Sequence, residues 1–181
     1  MTQPMSENSG AQWVARFPTS RDLADLAEPF RTKATKFVHA MQAAGMVVSI
    51  AATYRPRERA YLMHYAWEIA RNGLSLAAVP ALHGVDIIWN WSGGRGAAEA
   101  MVQAYGIAYE PAVRSRHTDR LAVDMGITWN GHPTILKANG ERGTILTSPR
   151  DGSNTDLQHI GAMYGVYKLE SDLPHWSSDG H

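Results

Sequence analysis

The apolar positions of this chain change period along its length, and the predicted element changes with them. Leu23, Leu26, Phe30, Ala34, Phe37 and Met41 recur at steps of three and four. That spacing predicts one face of an amphipathic helix over about 20–44, capped by Thr19 or Ser20 and stopped by Gly45. Residues 46–53 (MVVSIAAT) form a continuous apolar run rich in β-branched types, which reads as a buried strand. Pro56 suits the first turn of a second helix over 56–70, with Glu58, Tyr61, Leu62, Tyr65 and Ile69 as its stripe. Arg71-Asn72-Gly73 supplies the stop.

Beyond Gly73 the periodicity is weaker. Residues 74–95 hold Pro80, His83, Asp86, Trp89, Trp91 and a Gly-Gly pair, and read as a long ordered loop with one short apolar piece. A third helix is expected over 97–105, ended by Gly106. Extended segments are expected near 107–109, 121–127 and 134–138, with turns at Asn130-Gly131 and Asn139-Gly140. Ser153 or Asn154 opens a last helix, and 166–168 and 175–177 read as short strands. Helices come early and strands cluster late, which predicts an α+β fold with a small, mostly antiparallel sheet flanked by helices. Residues 1–17 are polar and irregular and read as a flexible arm before a single domain over 18–181.

Composition narrows the partners. The chain has 181 residues, 44% hydrophobic and 19% charged, with a formal net charge of zero, so it has enough apolar material for a core and no bulk charge to capture nucleic acid or an anionic membrane. No run approaches the roughly 20 apolar residues of a membrane helix. The start MTQPMSENSGAQW has no basic stretch followed by an apolar one, so no secretory signal is expected. There is no cysteine, which excludes a thiolate zinc knot.

Two segments carry candidate chemistry: Ser115-Arg116-His117-Thr118-Asp119-Arg120-Leu121-Ala122-Val123-Asp124 and Asp172-Leu173-Pro174-His175-Trp176. They offer two histidines and a carboxylate for one zinc ion, with a second carboxylate beside it. Three protein ligands and one open position describe a catalytic zinc site. His117 and Asp124 are seven residues apart in a β-like stretch. One straight strand would put them on opposite faces, so they converge only if the chain bends, and Thr118-Asp119-Arg120 is the expected bend. Pro174 forbids a regular helix between Asp172 and His175. These two would face one centre across a tight turn, one binding zinc and the other holding a water near it. A serine nucleophile at Ser115 is a poor fit because no G-x-S-x-G context surrounds it. His83 and Asp86 form a rival H-x-x-D pair without an evident third ligand. Trp89 and Trp91 suit either core packing or a groove for sugar or peptide.

The pattern S-x-H-x(6)-D followed by D/E-x-x-H resembles the zinc peptidases that cut bacterial cell-wall peptides, a group that includes D-Ala-D-Ala carboxypeptidases and dipeptidases and phage L-alanyl-D-glutamate endopeptidases. Their usual first motif is S-x-H-x-x-G-x-A-x-D. This chain keeps Ser115, His117, Ala122 and Asp124 but has Arg120 in place of the glycine. Thr53-Tyr54-Arg55-Pro56 is similar to the family's Y-R turn. The resemblance implies a LAS-type (hedgehog/DD-peptidase) fold over 18–181, Zn2+ held by His117, Asp124 and His175, and Asp172 as general base. It further implies that Arg55 binds substrate or the developing oxyanion. Ser115, Tyr54, Trp89 and Trp91 complete the candidate substrate-contacting residues. The aspartate of D-x-P-H-W resembles the endopeptidases more than the dipeptidases.

The activity the resemblance implies is therefore hydrolysis of the peptidoglycan stem peptide by an L-alanyl-D-glutamate endopeptidase, with a D-Ala-D-Ala carboxypeptidase as the nearest alternative. A non-catalytic cell-wall-binding module is the alternative of another class, and a purely structural zinc site is a third. The expected route to the wall is release through a phage holin or injection by a secretion machine, and an injected effector would need an immunity protein as partner.

Overall fold

A four-stranded antiparallel sheet carries the residues of interest. The computed structural model describes residues 6–181. Its elements in chain order are β1 (Glu7–Asn8), α1 (Phe30–Ala43), β2 (Val47–Ala52), α2 (Arg57–Arg71), β3 (Ile87–Ile88), α3 (Gly94–Tyr105), β4 (Ala122–Thr128), β5 (Thr134–Leu136), β6 (Arg142–Thr144), α4 (Thr155–Met163), β7 (Tyr167–Lys168) and β8 (His175–Ser177). The fold is α+β, as the change of period predicts. Two units form, residues 6–19 with Arg55–Ser115, and Ser20–Tyr54 with Arg116–His181.

The second unit holds the sheet, in the order β2-β4-β8-β7 with every pair antiparallel. β4 is central and its alternate side chains Val123, Met125 and Ile127 are buried, so this strand joins the apolar core that α1 covers with Phe37, Val38 and Met41. Trp176 of β8 is fully buried, 5.5 Å from the Phe37 ring. Burial of each such side chain stabilises by about 1.5–3 kcal/mol. α4 closes the same core through Leu157 and Ile160. Asn154 caps it by accepting from Leu157 N–H at 3.0 Å. Gly161 lies so near Trp176 that an added Cβ would sit 2.8 Å from its ring and 2.9 Å from the Val166 carbonyl. β5 and β6 form a separate hairpin.

The first helix is shorter than its stripe predicts. Pro29 has no N–H and drives Glu28 away from helical geometry, so α1 begins at Phe30 with Pro29 as its N-cap. The stretch before it that the stripe predicts as helix instead forms a 3-10 turn at Leu23–Asp25, where Asp22 accepts from Ala24 N–H at 2.9 Å. Leu26 still reaches the core, so the stripe locates burial correctly even where the helix has ended.

The first unit pairs α2 with α3 around Tyr61, Leu62, Ile69, Met101 and Val102. Residues 6–17 are not a loose arm. β1 pairs parallel with β3, Glu7 opposite Ile87, and Trp13 is buried in the core with its Nε1–H donating to the Asn8 carbonyl at 3.1 Å. The rest of the expected arm, residues 1–5, lies outside the described residues. No strand forms at 107–109. Gly106 takes a left-handed conformation (φ 66°) and Ile107 N–H returns to the Val102 carbonyl at 3.1 Å, so that segment is spent closing α3. β6 was not expected, because Arg142-Gly143-Thr144 carries no apolar alternation. Among the described residues no helix is long and apolar enough to cross a membrane.

Candidate metal centre

Asp124 and His175 are direct cross-strand partners on β4 and β8, and Ala52 of β2 is the other neighbour of Asp124. Opposed residues in an antiparallel pair put their side chains on one face, with Cβ atoms about 5 Å apart. The sheet register alone therefore brings these two candidate ligands together. A bulge between Ile50 and Ala52 marks the β2 side of this position, and Ala52 presents only a methyl.

His117 arrives from a turn ahead of β4. Leu121 N–H donates to the Arg116 carbonyl at 2.8 Å and Arg120 N–H to the His117 carbonyl at 3.3 Å. This nested pair is the Schellman closure, whose penultimate residue must be left-handed. Arg120 takes that conformation with φ 63°. This is the position where the motif that the sequence resembles carries glycine, the residue that adopts such a conformation most readily. Arg120 adopts it with its guanidinium 4.2 Å above the Tyr54 ring and its carbonyl accepting from Ala27 N–H at 2.9 Å. The bend expected at 118–120 is this turn.

Both imidazoles are oriented from behind. His117 Nδ1 lies 2.8 Å from the carbonyl of fully buried Thr53. His175 Nε2 lies 3.2 Å from the His181 carbonyl. A carbonyl only accepts, so each of these nitrogens carries the proton. The opposite nitrogens, His117 Nε2 and His175 Nδ1, each lie 3.1 Å from the same oxygen, Oδ1 of Asp124. In neutral rings both are lone pairs. Three electron-pair donors thus converge, all within 4.8 Å of one another, and the arrangement calls for extra protons or one cation. Carbonyl-oriented histidines beside a carboxylate are the usual construction around a metal. Burial pushes the Asp124 carboxyl up, but the hydrogen bonds and charge of His117 and His175 outweigh it and hold it well below the usual carboxylate range. Burial pushes His175 down, and the Asp124 hydrogen bond and charge more than offset this.

The supports of this triad were not visible in the sequence. Ser177 Oγ accepts from Gly180 N–H at 2.9 Å and His181 N–H at 3.0 Å, folding residues 178–181 back so that the His181 carbonyl reaches His175. Arg116 pairs with Asp179 and ties this return to the His117 turn. Lys168 Nζ donates to the carbonyls of Leu169, Asp172 and His175, stapling the loop between β7 and β8. Burial lowers its pKa, opposed by the charges of Asp172, Asp124 and Glu170. Only the contacts make these roles evident, since single Ser, Arg and Lys residues carry no spacing signal.

Asp172 lies on the stapled loop. His175 N–H donates to the Asp172 carbonyl at 3.0 Å, closing the tight turn through Leu173 and Pro174. Its carboxylate is exposed, outside the ligand group, and its charge reaches both His175 and Lys168. Tyr54 is half-buried under the Arg120 guanidinium. Arg55 follows it at the start of the other unit, and Ser115 ends that unit two residues before His117. Trp89 is in the core of the first unit, its Nε1–H donating to the Tyr61 hydroxyl at 3.1 Å. Trp91 is half-buried with its Nε1–H on Ser9 Oγ at 3.0 Å. Both indole N–H groups are bonded internally, and Trp89 is a core residue whereas Trp91 lies outside the core cluster.

His83 and Asp86 are exposed and join no ligand-capable group among the described residues. The first unit instead brings together His64, Glu68 and Glu110, an i,i+4 pair on α2 joined by a loop carboxylate. Glu68 already accepts from Asn72 at 2.6 Å, His64 Nδ1 lies 2.8 Å from the Pro111 carbonyl and Glu110 is exposed. No protein-family model matches the chain, and no curated protein is significantly similar to it.

Proposed function

We propose that this chain is a zinc-dependent peptidoglycan hydrolase of the LAS-type peptidase fold that cuts the stem peptide, in its sharper form an L-alanyl-D-glutamate endopeptidase. The observation that carries the reading is the convergence of His117 Nε2, His175 Nδ1 and Asp124 Oδ1, with each ring held from behind by a carbonyl. Two imidazole nitrogens and one carboxylate oxygen suit Zn2+ with an open position. A bound zinc ion would supply Lewis acidity toward the scissile carbonyl and toward water.

The chain's own residues divide the rest of the work. His117, His175 and Asp124 fix the geometry of the centre, because Thr53, His181 and the sheet register leave their rings and carboxylate little freedom. Asp172 is the general base. Its exposed carboxylate takes the proton of the attacking water and passes it to the leaving amine. Arg55, by the resemblance of Thr53-Tyr54-Arg55-Pro56 to the family's turn, binds the substrate or the oxygen that gains charge in the transition state. The wall-binding alternative rests on the Trp-rich loop, in which Trp89 is buried and Trp91 half-buried.

The test is mass spectrometry of fragments released from purified sacculi by zinc-loaded protein, with a chelator and with Asp172→Ala as controls. Fragments ending at one stem bond, lost in both controls, are expected. The bond found separates endopeptidase from carboxypeptidase. No new fragments from sacculi of several bacteria would overturn the peptidase reading.

A further inference from the structure

We propose that the groove between α1 and the β5–β6 hairpin is a binding site for a dianionic group, a phosphate or a dicarboxylate. The groove is a cavity of about 510 Å³ with Lys36 and His39 on its helical side and Lys137 and Arg142 on the hairpin side. That volume falls in the range of small-molecule sites. No carboxylate lines it; its remaining surface is mainly small apolar and backbone, with Ala40 and Leu136 among it. Among the described residues, Lys36, Lys137 and Arg142 take part in no ion pair. The nearest acid in sequence, Glu141, is not part of the lining and accepts instead from Asn139 at 3.0 Å.

Uncompensated like charges around one concavity repel each other and focus a positive potential into it. An oxyanion relieves that repulsion. A guanidinium offers it a planar fork and the ammonium groups offer point charges. The walls are held in place independently of any ligand. Tyr164 donates its hydroxyl to the Leu136 carbonyl at 2.8 Å, and Lys137 N–H donates to the Glu141 carbonyl at 2.8 Å. The Lys137 side chain lies across Gly143, where a Cβ would come within 2.6 Å of its Cε, and so is shared with a neighbouring groove that Asp156 also lines. The groove shares no residue with the metal centre and the inference does not rest on the peptidase reading.

Titration calorimetry at low ionic strength, where screening is weak, tests it with inorganic phosphate and glutarate as separate probes. At least one probe is expected to bind wild type, and which one binds separates the two anion chemistries. In Lys36→Gln/Arg142→Gln the affinity should fall about tenfold or more. It should be unchanged in Lys33→Gln, an exposed lysine on the same helix outside the groove. It should also persist in His117→Ala, which removes a ligand of the metal centre. All variants are first checked for a wild-type thermal melt. The proposal is overturned if neither probe binds, if the double variant binds as wild type does, or if His117→Ala abolishes binding.

Discussion

Replacing Arg120 by glycine and, separately, by alanine measures how the turn that delivers His117 is held. Arg120 is left-handed with φ 63°, which costs a residue bearing a Cβ about 1–2 kcal/mol. Its guanidinium lies 4.2 Å from the Tyr54 ring centroid, an exposed cation–π contact of about 0.5–1 kcal/mol. Arg120→Ala keeps the strain and loses the contact, so a destabilisation of about 0.5–1 kcal/mol is expected. Arg120→Gly loses the contact too, gains unfolded-state freedom worth about 0.5–1 kcal/mol, and sheds the strain. The terms nearly cancel, so the glycine variant should match wild type and exceed the alanine variant by about 0.5–1 kcal/mol. Urea unfolding followed by tryptophan fluorescence reads this as a midpoint difference of a few tenths of a molar, given a slope of about 1–3 kcal/mol/M. A glycine variant less stable than the alanine variant would refute the claim that position 120 is governed by backbone shape.

Three further outcomes follow from the geometry. Ser177→Ala removes the acceptor that folds His181 back onto His175, and zinc affinity measured by chelator competition should fall by about 10-fold or more; an unchanged affinity would show the return to be irrelevant. Gly161→Ala drives a methyl into Trp176 and the Val166 carbonyl, so a loss of about 1–3 kcal/mol is expected. A melting temperature within a degree of wild type would contradict it, since each kcal/mol is worth about 2–4 °C in a chain of this size. Zinc in excess should raise the melting temperature of wild type and leave His117→Ala/His175→Ala unmoved, because only a ligand bound to the native state shifts the equilibrium.

What the sequence disclosed and what it hid have physical causes. Periodicity located the buried residues Phe30, Ala34, Phe37 and Met41 because burial repeats with the helix. It overran the helix start because a stripe does not register the missing N–H of Pro29. The ligand-capable trio was legible because His117, Asp124 and His175 are chemically distinctive types in short, ordered motifs. Their pairing was not, since the Asp124–His175 register is a property of strands separated by some fifty residues of chain. At position 120 the sequence shows only an arginine where the similar motif has glycine, and not that the chain keeps the left-handed conformation and sets the side chain on Tyr54. Trp89 and Trp91 read alike in the sequence for core or groove, and the structure buries Trp89 and leaves Trp91 half-buried.

The most direct test of the central claim is the zinc content of the dialysed protein, measured for wild type, for each single alanine variant at His117, Asp124 and His175, and for Asp172→Ala. One tightly held zinc per chain in wild type and Asp172→Ala, with loss in each of the other three, is the expected result. Zinc that survives all three ligand substitutions, or that Asp172→Ala alone removes, would contradict the account.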